Sequence, residues 1–271
     1  RHRYHLYVSL ACPWAHRVLV VRALKGLEDA LPVSVVDPLM ADRGWVFSDG
    51  PGCVPDPVFG AERLSEIYLR ADSSYTGRVT VPVLWDKRES TIVNNESSEI
   101  IRILNHAFDA FATRELHDLY PEALRDEIDQ VNARVYDTVN NGVYKAGFAT
   151  TQEAYESAVV PLFETLDWLD ARLEARRYLV GDRLTEADIR LFTTLVRFDA
   201  VYHGHFKCNL RRLVDYRHLW PYARRIYQTP HVRETVSFSH IKAHYYRSHV
   251  TINPSRVVPL GPLVDWSDES P

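Results

Sequence analysis

His5-Leu6-Tyr7-Val8-Ser9-Leu10-Ala11-Cys12-Pro13-Trp14-Ala15-His16-Arg17 passes from one periodicity to another within a dozen residues. Residues 5–8 read as a short strand. From Cys12 onward Val18, Val21 and Arg22 recur at helical spacing, and Leu24 closes the run before Gly26. Pro13 suits the first helical turn, where the N–H it lacks has no intrahelical partner. Cys12 therefore stands where a strand hands over to a helix. The unpaired N–H groups and the positive end of the helix dipole favour a thiolate there and lower the thiol's pKa. An isolated cysteine is more often a small buried core residue, but the order strand, cysteine, proline, helix reverses that expectation. Ala15 occupies the place where a dithiol protein carries its second cysteine. Resolving a mixed disulfide on Cys12 then falls to an external thiol, which points to glutathione.

Outward from this junction the elements change quickly. Residues 33–36 read as a second strand. Residues 38–78 form a long loop rich in Gly, Pro, Asp and Ser, with a short helix near residues 62–68. Residues 79–85 read as a strand interrupted by Pro82, residues 91–93 as its hairpin partner, and Ser97 as the N-cap of a helix carrying Ile100, Ile101 and Leu104. This order is that of a thioredoxin-like α/β domain, assigned to residues 1–106. On such a strand, facing the cysteine, Val81-Pro82 is expected to be cis. Its backbone would then pair with an extended ligand much as an added strand does. A helix start at Ser97 beside Glu96 suits a ligand bearing both a carboxylate and an ammonium group.

From about residue 121 the strand signals stop. Leu124, Ile128, Val131 and Val135 form an apolar stripe at helical spacing. So do Leu162, Leu166, Leu169 and Leu173, then Leu191, Leu195 and Phe198, then Trp220, Ala223 and Ile226. The reading is an all-α helical bundle over residues 118–250, followed by an extended proline-bearing tail over 251–271. Thr185 and Asp188 form a capping box with a structural role.

The 271 residues carry a formal net charge of -4, which lacks the basic footprint of a nucleic-acid binder. No apolar run is long enough to span a bilayer, and no secretory signal opens the chain. Three cysteines, Cys12, Cys53 and Cys208, fit a reducing compartment rather than a disulfide framework or a zinc site. A cytoplasmic protein without metal is expected. The twelve histidines show no metal-ligand spacing; His244 and His249 read as surface or local hydrogen-bonding residues.

Several stretches together are similar to the glutathionyl-hydroquinone reductases, the Xi class of glutathione transferases. They are residues 9–17, 80–87 and 92–98 of the first half, and Asn140 to Ala149, Asp199 to Tyr202, His244-Tyr245-Tyr246 and Ile252-Asn253-Pro254 of the second. The resemblance implies a glutathione transferase fold, with glutathione as co-substrate and Cys12 attacking the thioether sulfur of a glutathionyl-hydroquinone. It implies Tyr144 as the proton donor, and Tyr202 and Tyr245 as pocket residues whose hydrogen bonds stabilise the thiolate. It also implies that Trp45 lies over glutathione, that Arg78, Val81 and Pro82 contact it, and that Glu96 with Ser97 holds its γ-glutamyl end. A homodimer formed through the helical domain follows from the same resemblance. Two rivals share parts of this pattern. A conjugating transferase would activate bound thiol with a serine or tyrosine hydroxyl, which Cys12 disfavours. An omega-like thiol transferase or dehydroascorbate reductase would share the cysteine without needing the segments around Tyr144 and Tyr245.

Overall fold

The computed structural model describes residues 2–267. The first unit alternates strand and helix: β1 (Tyr4–Val8), α1 (Pro13–Leu24), β2 (Val33–Val35), α2 (Leu64–Ala71), β3 (Val83–Asp86), β4 (Thr91–Asn94) and α3 (Ser97–His106). The sheet order is β2-β1-β3-β4, with β1 parallel to β2, antiparallel to β3, and β3 antiparallel to β4. Leu6, Tyr7, Val8, Val83, Leu84 and Trp85 are all buried, so the central strands are covered on both faces, and their sequence is correspondingly apolar without alternation. Helix α1 is apolar on nearly every side and buried likewise. The expected strand over residues 79–85 begins only at Val83, whose ladder partner is Tyr7. Pro82 has no N–H to give to a ladder, and residues 79–82 are irregular ahead of the strand. The Val81-Pro82 bond is cis, as expected.

One carboxylate does much to tie the long loop to this sheet, beside the Val35–Val54 backbone bridge. Asp56 accepts hydrogen bonds from the backbone N–H groups of Val58, Phe59 and Ala61 and from the hydroxyl of Tyr7 on β1. On the same strand His5 is buried, and its Nε2 lies 2.8 Å from Ser34 Oγ. Ser34 gives its hydroxyl proton to the Pro55 carbonyl, so His5 Nε2 is the donor to Ser34. Burial pulls the His5 pKa down to about 4, against the weaker opposing pull of Asp56. The folded state thus resists binding a proton that the unfolded chain takes up near pH 6.5. Stability from this residue is present above the unfolded value and is lost as pH falls towards 4. Between pH 7 and 5 the loss is about 2 kcal/mol. The expected result is a melting temperature that falls over this interval in the wild type and falls less in His5→Gln; parallel curves would rule the effect out.

The contacts divide the chain differently from the sequence reading. The first compact unit runs to His117 and takes in Glu234–Ser248; the second is Asp118–Arg233 with the chain from His249 on. The stretch assigned to the helical half thus includes a helix belonging to the first unit: α9 (Phe238–Ser248), so numbered because five helices of the second unit precede it. His240 Nε2 donates to the Pro51 carbonyl at 2.7 Å, and Met40 N–H donates to Ser248 Oγ. Gly52, at φ +79, lies against this helix: a Cβ there would come within 2.6 Å of His240 Nε2.

The second unit holds α4 (Arg125–Val135), α5 (Gly142–Gly147), α6 (Gln152–Arg172), α7 (Glu186–Arg197) and α8 (Leu219–Gln228). Its core is the apolar stripe of each helix, with Ile128, Leu162, Leu166, Leu191, Leu195, Ala223 and Ile226 buried. Thr185 and Asp188 form the expected capping box, and Asp188 also accepts from Leu179 N–H and the Tyr222 hydroxyl. Two widened π-helical turns, Tyr136–Asn140 and Phe198–Tyr202, follow α4 and α7. The expected tail is irregular over its described part; residues 268–271 lie outside the described residues. Among the described residues no helix is long and apolar enough to cross a membrane.

Candidate active site

Cys12 is the N-cap of α1. Its backbone is extended, at φ -74 and ψ 122, and Pro13 occupies the first helical position, as the sequence implied. The residue is half-buried. Its N–H donates to the Ser9 carbonyl and its own carbonyl accepts from His16 N–H, so the turn is closed on both sides. The Cys12 thiol faces the residue before the cis proline, with Sγ 3.6 Å from the Val81 carbonyl oxygen. Sequence reasoning placed Cys12, Val81 and Pro82 at one locus, and they are brought together. The other two cysteines differ. Cys208 is fully buried, and burial pushes its thiol up to about 12. Cys53 is half-buried in the loop.

The start of α3 corrects one expectation. Glu96, not Ser97, is the N-cap, with extended backbone and a side chain that accepts from Ser98 N–H at 3.2 Å. Ser97 is already helical and buried. Its Oγ accepts from the Arg17 guanidinium at 3.3 Å and donates to Glu96 Oε1 at 3.4 Å. The physical reason is tertiary: Arg17, from another helix, engages the Ser97 hydroxyl, and Glu96 folds back over the first turn in its place. Arg17 lies in turn 4.5 Å over the Trp14 ring. The helix carrying Cys12 is thereby coupled to the Glu96–Ser97 corner within one unit.

Trp45 is buried and stacks on His244 of α9, with ring centroids 5.0 Å apart and planes 24° apart. His244 Nδ1 lies 2.8 Å from the Pro38 carbonyl, an acceptor, so Nδ1 carries the proton. Tyr245, the next residue, is buried and sits edge-on to His244 at 5.4 Å. Arg78 is exposed, and its carbonyl accepts from the Tyr75 hydroxyl.

In the second unit Tyr144 lies on α5 and is half-buried; Tyr202 ends the second π-helical turn and is fully buried. Their rings meet at 6.0 Å and 65°. Both touch Phe206, which stacks on Tyr202 at 5.6 Å and meets Tyr144 at 5.5 Å. Phe206 comes this close because residue 147 has no side chain: a Cβ on Gly147 would stand 2.2 Å from the Phe206 ring. Phe206, Gly147 and the Trp45–His244 pair were not singled out from sequence. The only trace of the π-helical turns is the spacing of four between Val135, Val139 and Val143, wider on average than an α-helical stripe.

The chain is similar to known glutathione transferases over nearly its whole length. Residues 11–107 match the family model of the glutathione S-transferase N-terminal domain, and residues 152–225 that of the C-terminal domain. The chain is 60% identical over 260 residues to glutathionyl-hydroquinone reductase PcpF of Sphingobium chlorophenolicum, covering 96% of this chain and 83% of the relative. The glutathione-bound structure of YqjG, a glutathione transferase homologue from Escherichia coli K-12, superposes with a TM-score of 0.97 at 57% identity, covering 99% of this chain and 87% of that one. The Xi-class transferase of Natrialba magadii superposes with a TM-score of 0.97 at 55% identity, covering 99% and 82%.

Proposed function

The chain belongs to the glutathione S-transferase family, in its Xi class, and from that premise we propose that it reduces glutathionyl-hydroquinones to hydroquinones at the expense of glutathione. The observation that carries the reading is Cys12 itself: a lone cysteine at the N-cap position of a helix, its Sγ 3.6 Å from the carbonyl oxygen of the residue before a cis proline, with Ala15 where a resolving cysteine would stand.

The chemistry follows from that arrangement. The Cys12 thiolate attacks the thioether sulfur of the conjugate, and a sulfur–sulfur bond forms. The carbon–sulfur bond breaks and its electron pair stays on the ring carbon, which takes a proton from the Tyr144 hydroxyl. A second glutathione attacks the mixed disulfide, releases glutathione disulfide and restores the Cys12 thiolate; the proton lost by that glutathione returns Tyr144 to its neutral form. The net reaction is one conjugate plus one glutathione giving hydroquinone plus glutathione disulfide. The hydroxyls of Tyr202 and Tyr245 hold the thiolate by hydrogen bonding. Glutathione lies under Trp45, pairs with the backbone of Val81 ahead of Pro82 and meets Arg78. Its γ-glutamyl ammonium rests on the exposed Glu96 carboxylate, and its carboxylate is held at the helix start by Ser97. Three cysteines outside any disulfide support a cytoplasmic enzyme, and the family likeness supports a homodimer built on the helical domain.

The test is turnover. With excess glutathione the purified protein is expected to convert a glutathionyl-hydroquinone to free hydroquinone, with one glutathione disulfide formed per ring released. Reduction of glutathione mixed disulfides or dehydroascorbate alone, with the hydroquinone conjugate untouched, would favour the omega-like reading instead.

A further inference from the structure

Phe148 belongs to the same stretch as Tyr144 and has no part in the chemistry above. It caps the C-terminal end of α5, and its N–H donates to the Tyr144 carbonyl at 3.0 Å. The two side chains are four residues apart and therefore share one face of the helix. The residue is 48% exposed, a large apolar side chain to leave open next to a reacting group.

The ring is nonetheless firmly held. Phe206 meets it at 5.3 Å and 59°, and His249 at 5.0 Å and 67°. His249 is fixed in turn by stacking on Phe206 and by its Nδ1, 3.1 Å from Nε2 of the buried His205. Both neighbours are steeply inclined to the Phe148 plane, so they brace the ring without stacking flat on it. Phe206 reaches this position only because Gly147 is bare. A braced, half-exposed aromatic face one turn along from the proposed proton donor is suited to a flat, electron-rich ring lying parallel to it.

We propose that Phe148 is a specificity-determining residue that stacks on the hydroquinone ring and holds its sulfur-bearing carbon for protonation. This rests on the reading of Tyr144 as proton donor. The glutathione portion is the same in every substrate; Phe148 adds selection for the extent of the aromatic ring. A two-ring naphthohydroquinone conjugate gains more from it than a one-ring benzohydroquinone conjugate, and a ringless mixed disulfide of glutathione and 2-mercaptoethanol gains nothing.

The experiment compares wild type, Phe148→Ala, Phe148→Leu and Phe148→Tyr on these three substrates at saturating glutathione. In Phe148→Ala the KM for the two-ring conjugate is expected to rise about 10-fold and that for the one-ring conjugate about 3-fold, the range a single aromatic stack supplies. The ringless disulfide should be unchanged. Phe148→Tyr should behave as wild type, and Phe148→Leu, which keeps apolar bulk and the fold, should lose the ring preference. A uniform loss on all three substrates, an unchanged KM, or full rescue by leucine would each overturn the proposal. If instead the wild type leaves both conjugates untouched but reduces the disulfide, the functional reading falls and this inference with it, an outcome distinct from a failed Phe148 series.

Discussion

Cys12→Ser is expected to abolish turnover of glutathionyl-hydroquinones, with a loss of at least about 10³-fold, the scale on which removing a nucleophile acts. A serine hydroxyl at this N-cap meets the same helix field, but it does not ionise near neutral pH and cannot form the sulfur–sulfur bond on which the second half-reaction depends. The substitution is nearly isosteric: Cys12 is half-buried, its side chain makes no cap hydrogen bond to the helix, and a serine hydroxyl can still face the Val81 carbonyl. Melting temperature should therefore be unchanged while activity disappears. Two further measurements fix the cause. Wild-type protein treated with substrate and no free glutathione should carry one glutathionyl group by mass spectrometry, and the Cys12→Ser protein none. Iodoacetamide at neutral pH should label Cys12 well before Cys208, whose thiol burial has pushed up to about 12. Retained activity in Cys12→Ser, or an adduct mapped to Cys53, would end the mechanism.

The parts of this site that sequence reveals are those made by neighbours in the chain. The strand, the cysteine, the proline and the helix are consecutive, so Cys12 as N-cap and Pro13 as the first helical residue could be read directly. Val81-Pro82 could be read because proline marks a bond that is able to be cis, and the bond is cis. Ser97 shows where this stops. Serine and glutamate both cap, and the choice between them was made by Arg17, which reaches Ser97 from another helix and leaves Glu96 to close the turn. No local pattern carries that information.

The same holds for α9, on a larger scale. Its residues lie among helices in the sequence, and periodicity gave no reason to separate them from the bundle. The Trp45–His244 stack, the His240 bond to Pro51 and the Ser248 bond from Met40 decide the matter, and all join residues remote in the chain. Tyr245, assigned to the site only through family resemblance, thus belongs to the same compact unit as Cys12. Gly147 is the mirror case. It could be quoted from the sequence as part of a stretch, but its reason is the Phe206 ring, which a Cβ would strike. Small residues record the approach of something else, and the sequence does not say what.

Tyr144→Phe is the second large effect, and it separates reduction of a carbon–sulfur bond from reduction of a sulfur–sulfur bond. Breaking the former leaves an electron pair on an aromatic carbon, which must be protonated as the bond opens; breaking the latter leaves a thiolate, which needs no such help. Losing a positioned general acid costs about 10²- to 10⁴-fold, so turnover of a glutathionyl-hydroquinone should fall by that factor. Turnover of a ringless glutathione mixed disulfide should be unaffected, and the Cys12 adduct should still form from it at the wild-type rate. The structure makes this a clean comparison. Tyr144 meets Tyr202 at 6.0 Å and Phe206 at 5.5 Å through its ring, and phenylalanine keeps both contacts while deleting only the hydroxyl. A solvent deuterium isotope effect on hydroquinone release should accompany the slower reaction, since proton delivery then falls to water. Equal losses on both substrates would show that Tyr144 positions the thiolate rather than the proton. No loss on either would move the acid to another residue, with Tyr202 the first to be tested, because its ring shares the same aromatic cluster.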